Sequence, residues 1–196
     1  SVLAFNVKYD IFGRLIKGDN PTIGFVEVMD KMKKAFHNLP AEDGIGIDPV
    51  AARIHFIDNH DVNRFLAGTI KVLENGNYDS LSDEDKVKAD NVFIPAFGLM
   101  LSMDGVPLIY YGTEQGFSGG WDPENREDLW TSNFNQTNPY FTFLKKMNQL
   151  RAKLSPLRRG DLKVTWTSKS KWKDADDAGI LAFERTYNEE KVLVVV

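Results

Sequence analysis

The spacing of hydrophobic positions changes repeatedly along the chain, and each change marks an element. Residues 2–9 mix β-branched and aromatic side chains and predict a buried strand. After Asn20-Pro21 the period lengthens. Phe25, Val28, Met29, Met32, Phe36 and Leu39 recur at steps of three and four, which predicts an amphipathic helix closed by Pro40. A second strand, residues 52–57, runs directly into Asp58-Asn59-His60-Asp61. A second helical pattern begins near Ser82, where Ser82 and Asp85 make a capping-box match, and extends to about Met103. Pro95 falls inside this pattern and predicts a kink or break, because proline removes a backbone donor. The third strand, residues 106–111, discharges into a polar, glycine-rich loop over 112–130. A third helix follows, with Asn138 as N-cap and Pro139 in the first turn. Its apolar face is Phe143, Leu144, Met147, Leu150 and Leu154, and Pro156 is the expected terminator.

From Leu162 the pattern shortens to alternating segments at 162–167, 179–187 and 191–196, with Asn188-Glu189-Glu190 as a hairpin turn. Strand and helix alternation therefore gives way to antiparallel β after Arg158-Arg159-Gly160. This places a boundary near residue 159, with one unit over 1–159 and another over 160–196. Three strands each followed by a helix indicate parallel βα units, and polar clusters directly after two of them indicate a site at the strands' C-terminal ends. A closed barrel and an open doubly wound sheet both fit this pattern.

Composition narrows the function without naming it. The 196 residues are 42% apolar and 27% charged, the balance of a globular domain. The absence of cysteine excludes disulfides, thiolate catalysis and Cys-based zinc sites. A net charge of -4 does not favour nucleic acid or an anionic membrane, both of which attract clustered Lys and Arg. The longest apolar runs fall well short of the ~20 residues that span a bilayer. The chain opens in one strand-like run and ends in another, with no initiator Met and no signal peptide, as expected for a segment of a longer protein; its compartment stays open.

Two constellations carry candidate chemistry. In Asp58-Asn59-His60-Asp61 a strand delivers two carboxylates, an amide and an imidazole. A regular strand would send Asp58 and His60 to one side and Asn59 and Asp61 to the other. The cluster can be read as an Asp/Asn loop that caps backbone groups, or as a site. His37 and His55 share no metal-ligand spacing with His60, and no Gly-x-Ser-x-Gly elbow is present. The second constellation is the loop from Tyr110 to Glu127. It places Tyr110, Tyr111 and Trp121 beside Glu114, Asp122, Glu124, Arg126 and Glu127. Aromatic faces suit the C–H surfaces of a pyranose and charged forks suit its hydroxyls, although a plain polar loop would read similarly.

Taken together, Phe56-Ile57-Asp58-Asn59-His60-Asp61 with Asn63-Arg64-Phe65, Asp104-Gly105-Val106-Pro107-Leu108-Ile109-Tyr110-Tyr111-Gly112-Thr113-Glu114-Gln115, and Gly119-Gly120, Asp122-Pro123, Asn125-Arg126-Glu127 and Trp130 resemble the α-amylase family of glycoside hydrolases in order and spacing. The resemblance implies an α/β fold. It would be a partial (β/α)8 TIM barrel, the equivalent of strands 6 to 8 with their helices, followed by the start of an antiparallel β C-terminal domain. It implies that Asp61 is the carboxylate that stabilises the transition state, that His60 is its hydrogen-bonding neighbour, and that Asp122 and Arg126 hold a sugar further along the chain of substrate. Arg64 and Glu114 would support the loops, and Trp121 stands where relatives often carry Asn. The family's nucleophile and acid/base follow strands 4 and 5, upstream of Ser1.

The expected activity of the intact parent is retaining hydrolysis of α-1,4-glucosidic bonds, with this segment inactive alone. A transglycosylase of the same family and a non-catalytic carbohydrate-binding or transporter-associated relative are the alternatives. The expected partner is an α-glucan or maltooligosaccharide, with self-association through open half-barrel edges as a further expectation. No cofactor is expected from these residues, and calcium, where the parent binds it, would draw on upstream loops. A secreted or periplasmic parent fits the family.

Overall fold

The computed structural model describes residues 3–36, 51–70, 77–169 and 179–196. At its centre β1 (Ile54–Phe56) pairs in parallel with β2 (Val106–Leu108), Ile54 opposite Val106 and Phe56 opposite Leu108. Parallel neighbours need a crossover, and the helix of this one is α2 (Asp83–Ser102). Both strands are shorter than their apolar runs, because the chain turns into loops beyond Phe56 and Leu108 instead of continuing the ladder.

Of the strand expected over residues 2–9, the described part, residues 3–9, is largely replaced by helix, and residue 2 lies outside the described residues. Leu3 makes one parallel bridge to Ile54, and the Ala4 N–H donates to the Ile54 carbonyl at 2.9 Å. The chain is helical from Phe5, and Val7–Leu15 forms a π-type helix whose end is marked by the Ile16 N–H donating to the Ile11 carbonyl. Val7, Ile11, Phe12 and Leu15 are all buried on its inner face. The β-branched start of the run conceals a helical face that becomes visible only beyond residue 9.

Helix α1 (Gly24–Phe36) begins later than Asn20-Pro21 predicts. Thr22 is engaged elsewhere: its hydroxyl donates to the Ile180 carbonyl at 2.7 Å and accepts from the Ser168 N–H at 2.6 Å. Phe25, Val28, Met29 and Met32 are buried as their spacing requires, whereas Leu39 and Pro40 lie outside the described residues. In α2 the Ser82 hydroxyl accepts the Asp85 N–H at 3.1 Å, and the helix runs unbroken through Pro95. Proline inside a helix costs about 3 kcal/mol. Here Phe93, Ala96, Phe97, Leu99, Met100 and Leu101 are buried on both sides of it, and packing outweighs the lost bond.

Helix α3 (Pro139–Lys153) starts where predicted, with the Asn138 side chain accepting the Tyr140 N–H at 2.9 Å. Leu150, expected on the apolar face, is 46% exposed. Pro156 does not end the helical region; it sits in the first turn of a short α4 (Ser155–Arg159), where a missing N–H costs nothing. Beyond it β3 (Asp161–Thr167), β4 (Leu181–Tyr187) and β5 (Glu190–Val195) form an antiparallel sheet in that order, with the register slipping between Val164 and Trp166. Tyr187 pairs with Glu190, and Asn188 takes the left-handed turn conformation.

The sheet and the helices close on one core. Phe25 stacks on Phe183 with ring centroids 6.0 Å apart, and Phe93 stacks on Tyr140 at 3.7 Å. Two arginines then secure the C-terminal end of α2, where free carbonyls attract positive charge. Arg151 donates to the carbonyls of Leu101, Gly105 and Leu157 at 3.0, 2.8 and 2.6 Å. Arg185, buried in β4, reaches the carbonyls of Ser102 and Gly160. Burial lowers both guanidinium groups below their ordinary value, Arg151 to about 10.

His55 lies in β1 with its side chain fully buried, against Gly105, where a Cβ would come within 2.6 Å of the imidazole Nε2. Gly105 holds a positive φ of 85°, so a side chain there would meet both strain and the ring. Burial, followed by the charge of Arg53, lowers the His55 pKa to about 3. The neutral ring is therefore the folded form, and an unfolded chain takes up a proton first. Stability contributed by neutral His55 is complete above about pH 6.5 and is lost as the pH falls toward 3, with a limiting slope of about 1.4 kcal/mol per pH unit. Urea unfolding followed between pH 7 and 4 should show this decline, and His55→Gln should flatten it.

Candidate active site

The loop after β1 divides its polar residues between interior and surface. Asp58 and Asn59 are buried. The Asp58 carboxylate accepts the Phe65 N–H at 3.1 Å and the Thr113 hydroxyl at 3.0 Å, so it ties the start of its own loop to the loop after β2. Burial raises its pKa, with Arg64 opposing. The Asn59 side chain accepts the Asp61 N–H at 2.9 Å, a local turn that ends the strand geometry. His60 and Asp61 then emerge side by side, 3.3 Å apart between Nε2 and Oδ1, with side chains 61% and 56% exposed. The strict alternation of a regular strand does not hold, because β1 stops at Phe56. Capping describes Asp58 and Asn59, while the exposed imidazole and carboxylate remain available for chemistry.

The loop after β2 is organised by another buried carboxylate. Glu127 accepts the Arg64 Nε–H at 2.8 Å and the Gly119 N–H at 2.6 Å, with both charged side chains essentially buried. Arg64 also donates to the Tyr111 carbonyl at 2.6 Å, its own N–H donates to the Gly119 carbonyl at 3.1 Å, and its guanidinium lies 4.2 Å from the centre of the Tyr110 ring. One residue of the first loop thus meets four points of the second. Asn125, also buried, adds a further tie by donating to the carbonyls of His60 and Val62 at 3.1 and 2.8 Å.

These ties bring Asp122 and Arg126 close to the His60-Asp61 turn. Arg126 Nε and Asp122 Oδ1 are 3.0 Å apart, half exposed, and Arg126 Nη2 reaches the His60 carbonyl at 3.5 Å. The result is a polar surface with a carboxylate and an imidazole on one loop and a carboxylate and a guanidinium on the next. It can accept and donate hydrogen bonds to a neutral polyol at four points. Glu114 stands apart, half-buried at the base of the same loop, its carboxyl raised by desolvation. Burial, then neighbouring Tyr111, raises the Tyr110 hydroxyl to about 12. Among the described residues no three His, Asp or Glu side chains converge at metal-ligand spacing, and no helix is long and apolar enough to cross a membrane.

Sequence reading anticipated a supporting role for Arg64 and missed its partner. Glu127 stands in the Asn125-Arg126-Glu127 run as one acid among several, and nothing in the sequence sets Asn125 apart beyond that motif. The available signal was the proximity of these residues to the glycine pair 119–120.

No family profile matches the chain. Individual proteins do. It is 35% identical over 141 residues to a β/α-amylase of Paenibacillus polymyxa, a match covering 72% of this chain and 10% of that protein. It is 30% identical over 161 residues to a cyclomaltodextrin glucanotransferase of Geobacillus stearothermophilus, covering 82% of this chain and 19% of the other. An α-amylase structure from Anoxybacillus superposes on 98% of this chain and 34% of its own with a TM-score of 0.66 at 23% identity, a likeness of fold. The chain accordingly spans a tenth to a third of the proteins it matches. The fold of this chain is similar to part of that of α-amylase family TIM-barrel enzymes. The chain belongs to the α-amylase family.

The ties differ sharply in energetic weight. Removing one partner of a buried ion pair costs about 3–5 kcal/mol because the other is left charged and unsolvated, whereas a half-exposed pair contributes about 1 kcal/mol or less. Glu127→Ala should therefore lower the unfolding free energy by about 3–5 kcal/mol, and Asp122→Ala by under about 1 kcal/mol. Urea titration of both variants measures the contrast.

Proposed function

We propose that this chain is the part of an α-glucan hydrolase barrel equivalent to its sixth, seventh and eighth strands, over residues 1–159, joined to the first strands of a C-terminal β domain over 160–196. The observation that carries the reading is the pairing of His60-Asp61 with Asp122-Arg126 across two adjacent loops, through Asn125 and the Arg126 contact to the His60 carbonyl. A surface of this kind suits a neutral, hydroxyl-rich ligand. The names of its relatives, amylases and glucanotransferases, point to an α-glucan or maltooligosaccharide.

In the intact parent Asp61 carries the electrostatic part of catalysis. An exposed carboxylate beside a forming oxocarbenium-like sugar favours the transition state over the ground state, and His60, 3.3 Å away, donates a hydrogen bond toward the same sugar. Asp122 and Arg126 hold a glucosyl unit further from the point of cleavage, which positions the chain of substrate. The attacking carboxylate and the proton donor come from the parent's upstream strands, so this segment binds and positions but does not close the reaction. The glucanotransferase matches support transfer to a sugar acceptor as a second reading; it leaves the four residues in the same roles and changes only the group that resolves the intermediate.

Self-association belongs to the same reading. Among the described residues no strand pairs with the far side of β2, and Val106 on it is 49% exposed, a strand edge suited to pairing.

The purified 196-residue chain should release no reducing sugar from maltooligosaccharides, and light scattering of the same preparation should give a dimer or larger species. Hydrolysis abolished by Asp61→Asn would contradict the assignment of roles, and a stable monomer would contradict the open edge.

A further inference from the structure

Trp121 is among the most exposed large apolar side chains of the described residues, at 61%. It is not a loose residue on a loose loop. Upstream, Gly119 is held at both backbone groups: its N–H donates to Glu127 at 2.6 Å and its carbonyl accepts the Arg64 N–H at 3.1 Å. Downstream, the Trp121 carbonyl accepts the Glu124 N–H at 2.7 Å. The segment is also wrapped tightly, since a Cβ at Gly119 would collide with the Glu124 carbonyl, which makes a larger residue there incompatible with the turn. The backbone that carries the indole is thus ordered before any ligand arrives, and only two side-chain torsions remain to be fixed.

Its neighbour in sequence is Asp122, half exposed and paired with Arg126. Hydroxyl-binding groups and a large flat apolar face are therefore presented from consecutive positions of one rigid turn. Packing does not account for the indole, because most of it contacts water. A pyranose offers the complementary surface, with hydroxyls around its rim and C–H groups on its faces. Binding to an ordered aromatic loses little conformational entropy.

We infer that Trp121 is a specificity-determining residue, a stacking platform for the glucosyl unit next to the one held by Asp122 and Arg126, and that it sets a preference for longer α-glucan chains. This inference rests on the functional reading above and adds to it a dependence on chain length. An oligosaccharide too short to reach past the Asp122-Arg126 pair does not sense the indole. One long enough does.

The test is calorimetric titration of the 196-residue chain with maltooligosaccharides of increasing length, together with indole fluorescence. Wild type should bind longer oligosaccharides more tightly than maltotriose, with a change in fluorescence. Trp121→Ala should weaken binding of maltoheptaose about fivefold and leave maltotriose unchanged, removing the length dependence. Trp121→Phe should restore part of it. Trp130, 65% exposed in the same loop, serves as the control, and Trp130→Ala should bind as wild type does. Asp122→Asn should weaken every length. If Asp122→Asn weakens binding while Trp121→Ala keeps the length dependence intact, the inference is overturned and the functional reading stands. If a folded wild-type chain, checked by circular dichroism, binds none of the sugars, both fall.

Discussion

The buried ion pair between Arg64 and Glu127 is the interaction on which the surface chemistry of this chain depends. Two loops follow two parallel strands, and the strands alone would leave each loop free to adopt its own course. Arg64 leaves the first loop and finds its partners in the second, at the Glu127 carboxylate, the Tyr111 carbonyl and the ring of Tyr110. A charge so placed is expensive without its partners, which makes the arrangement close to all-or-none. Asp58 repeats the logic with opposite sign, accepting from Thr113 in the second loop and from Phe65 in the first. The exposed pairs, His60 with Asp61 and Asp122 with Arg126, inherit their relative placement from these buried ones. They add little stability themselves, as half-exposed ions do.

This division explains why function and folding are legible to different degrees. The helix starts at Ser82 and Asn138 could be read from single residues, because a cap is a local hydrogen bond between neighbours in sequence. So could the three antiparallel strands, whose alternation is a local pattern. The N-terminal segment could not: its first residues suit a strand, and the helical face of Val7, Ile11, Phe12 and Leu15 shows only when the window is moved past residue 9. Pro95 misled in the other direction. A local rule predicts a break, and the burial of residues on both sides of it overrides the rule.

At the site the same distinction holds. Asp58-Asn59-His60-Asp61 reads as one polar cluster, but the structure splits it into a buried half that ties loops and an exposed half that faces solvent. The split depends on where β1 ends, and Thr113, 55 residues further on, supplies the bond that takes Asp58 inward. Glu127 was illegible for the corresponding reason, since its partner lies 63 residues upstream. The family resemblance implies the roles that spacing alone leaves open, and the comparisons supply the family. Geometry adds how the four exposed residues are held together.

Amide hydrogen exchange in the Glu127→Gln variant tests this dependence most directly. The Gly119 N–H loses its carboxylate in that variant, and the Gly119 carbonyl is the acceptor of the Arg64 N–H. If the buried pair organises both loops, the amides of Gly119, Glu124, Arg64, Phe65 and Asp61 should exchange faster together, while the core amides of α2 keep their protection. Faster exchange confined to Gly119, with Asp61 and Phe65 as protected as in the wild type, would show that the first loop holds its own shape and would contradict the account.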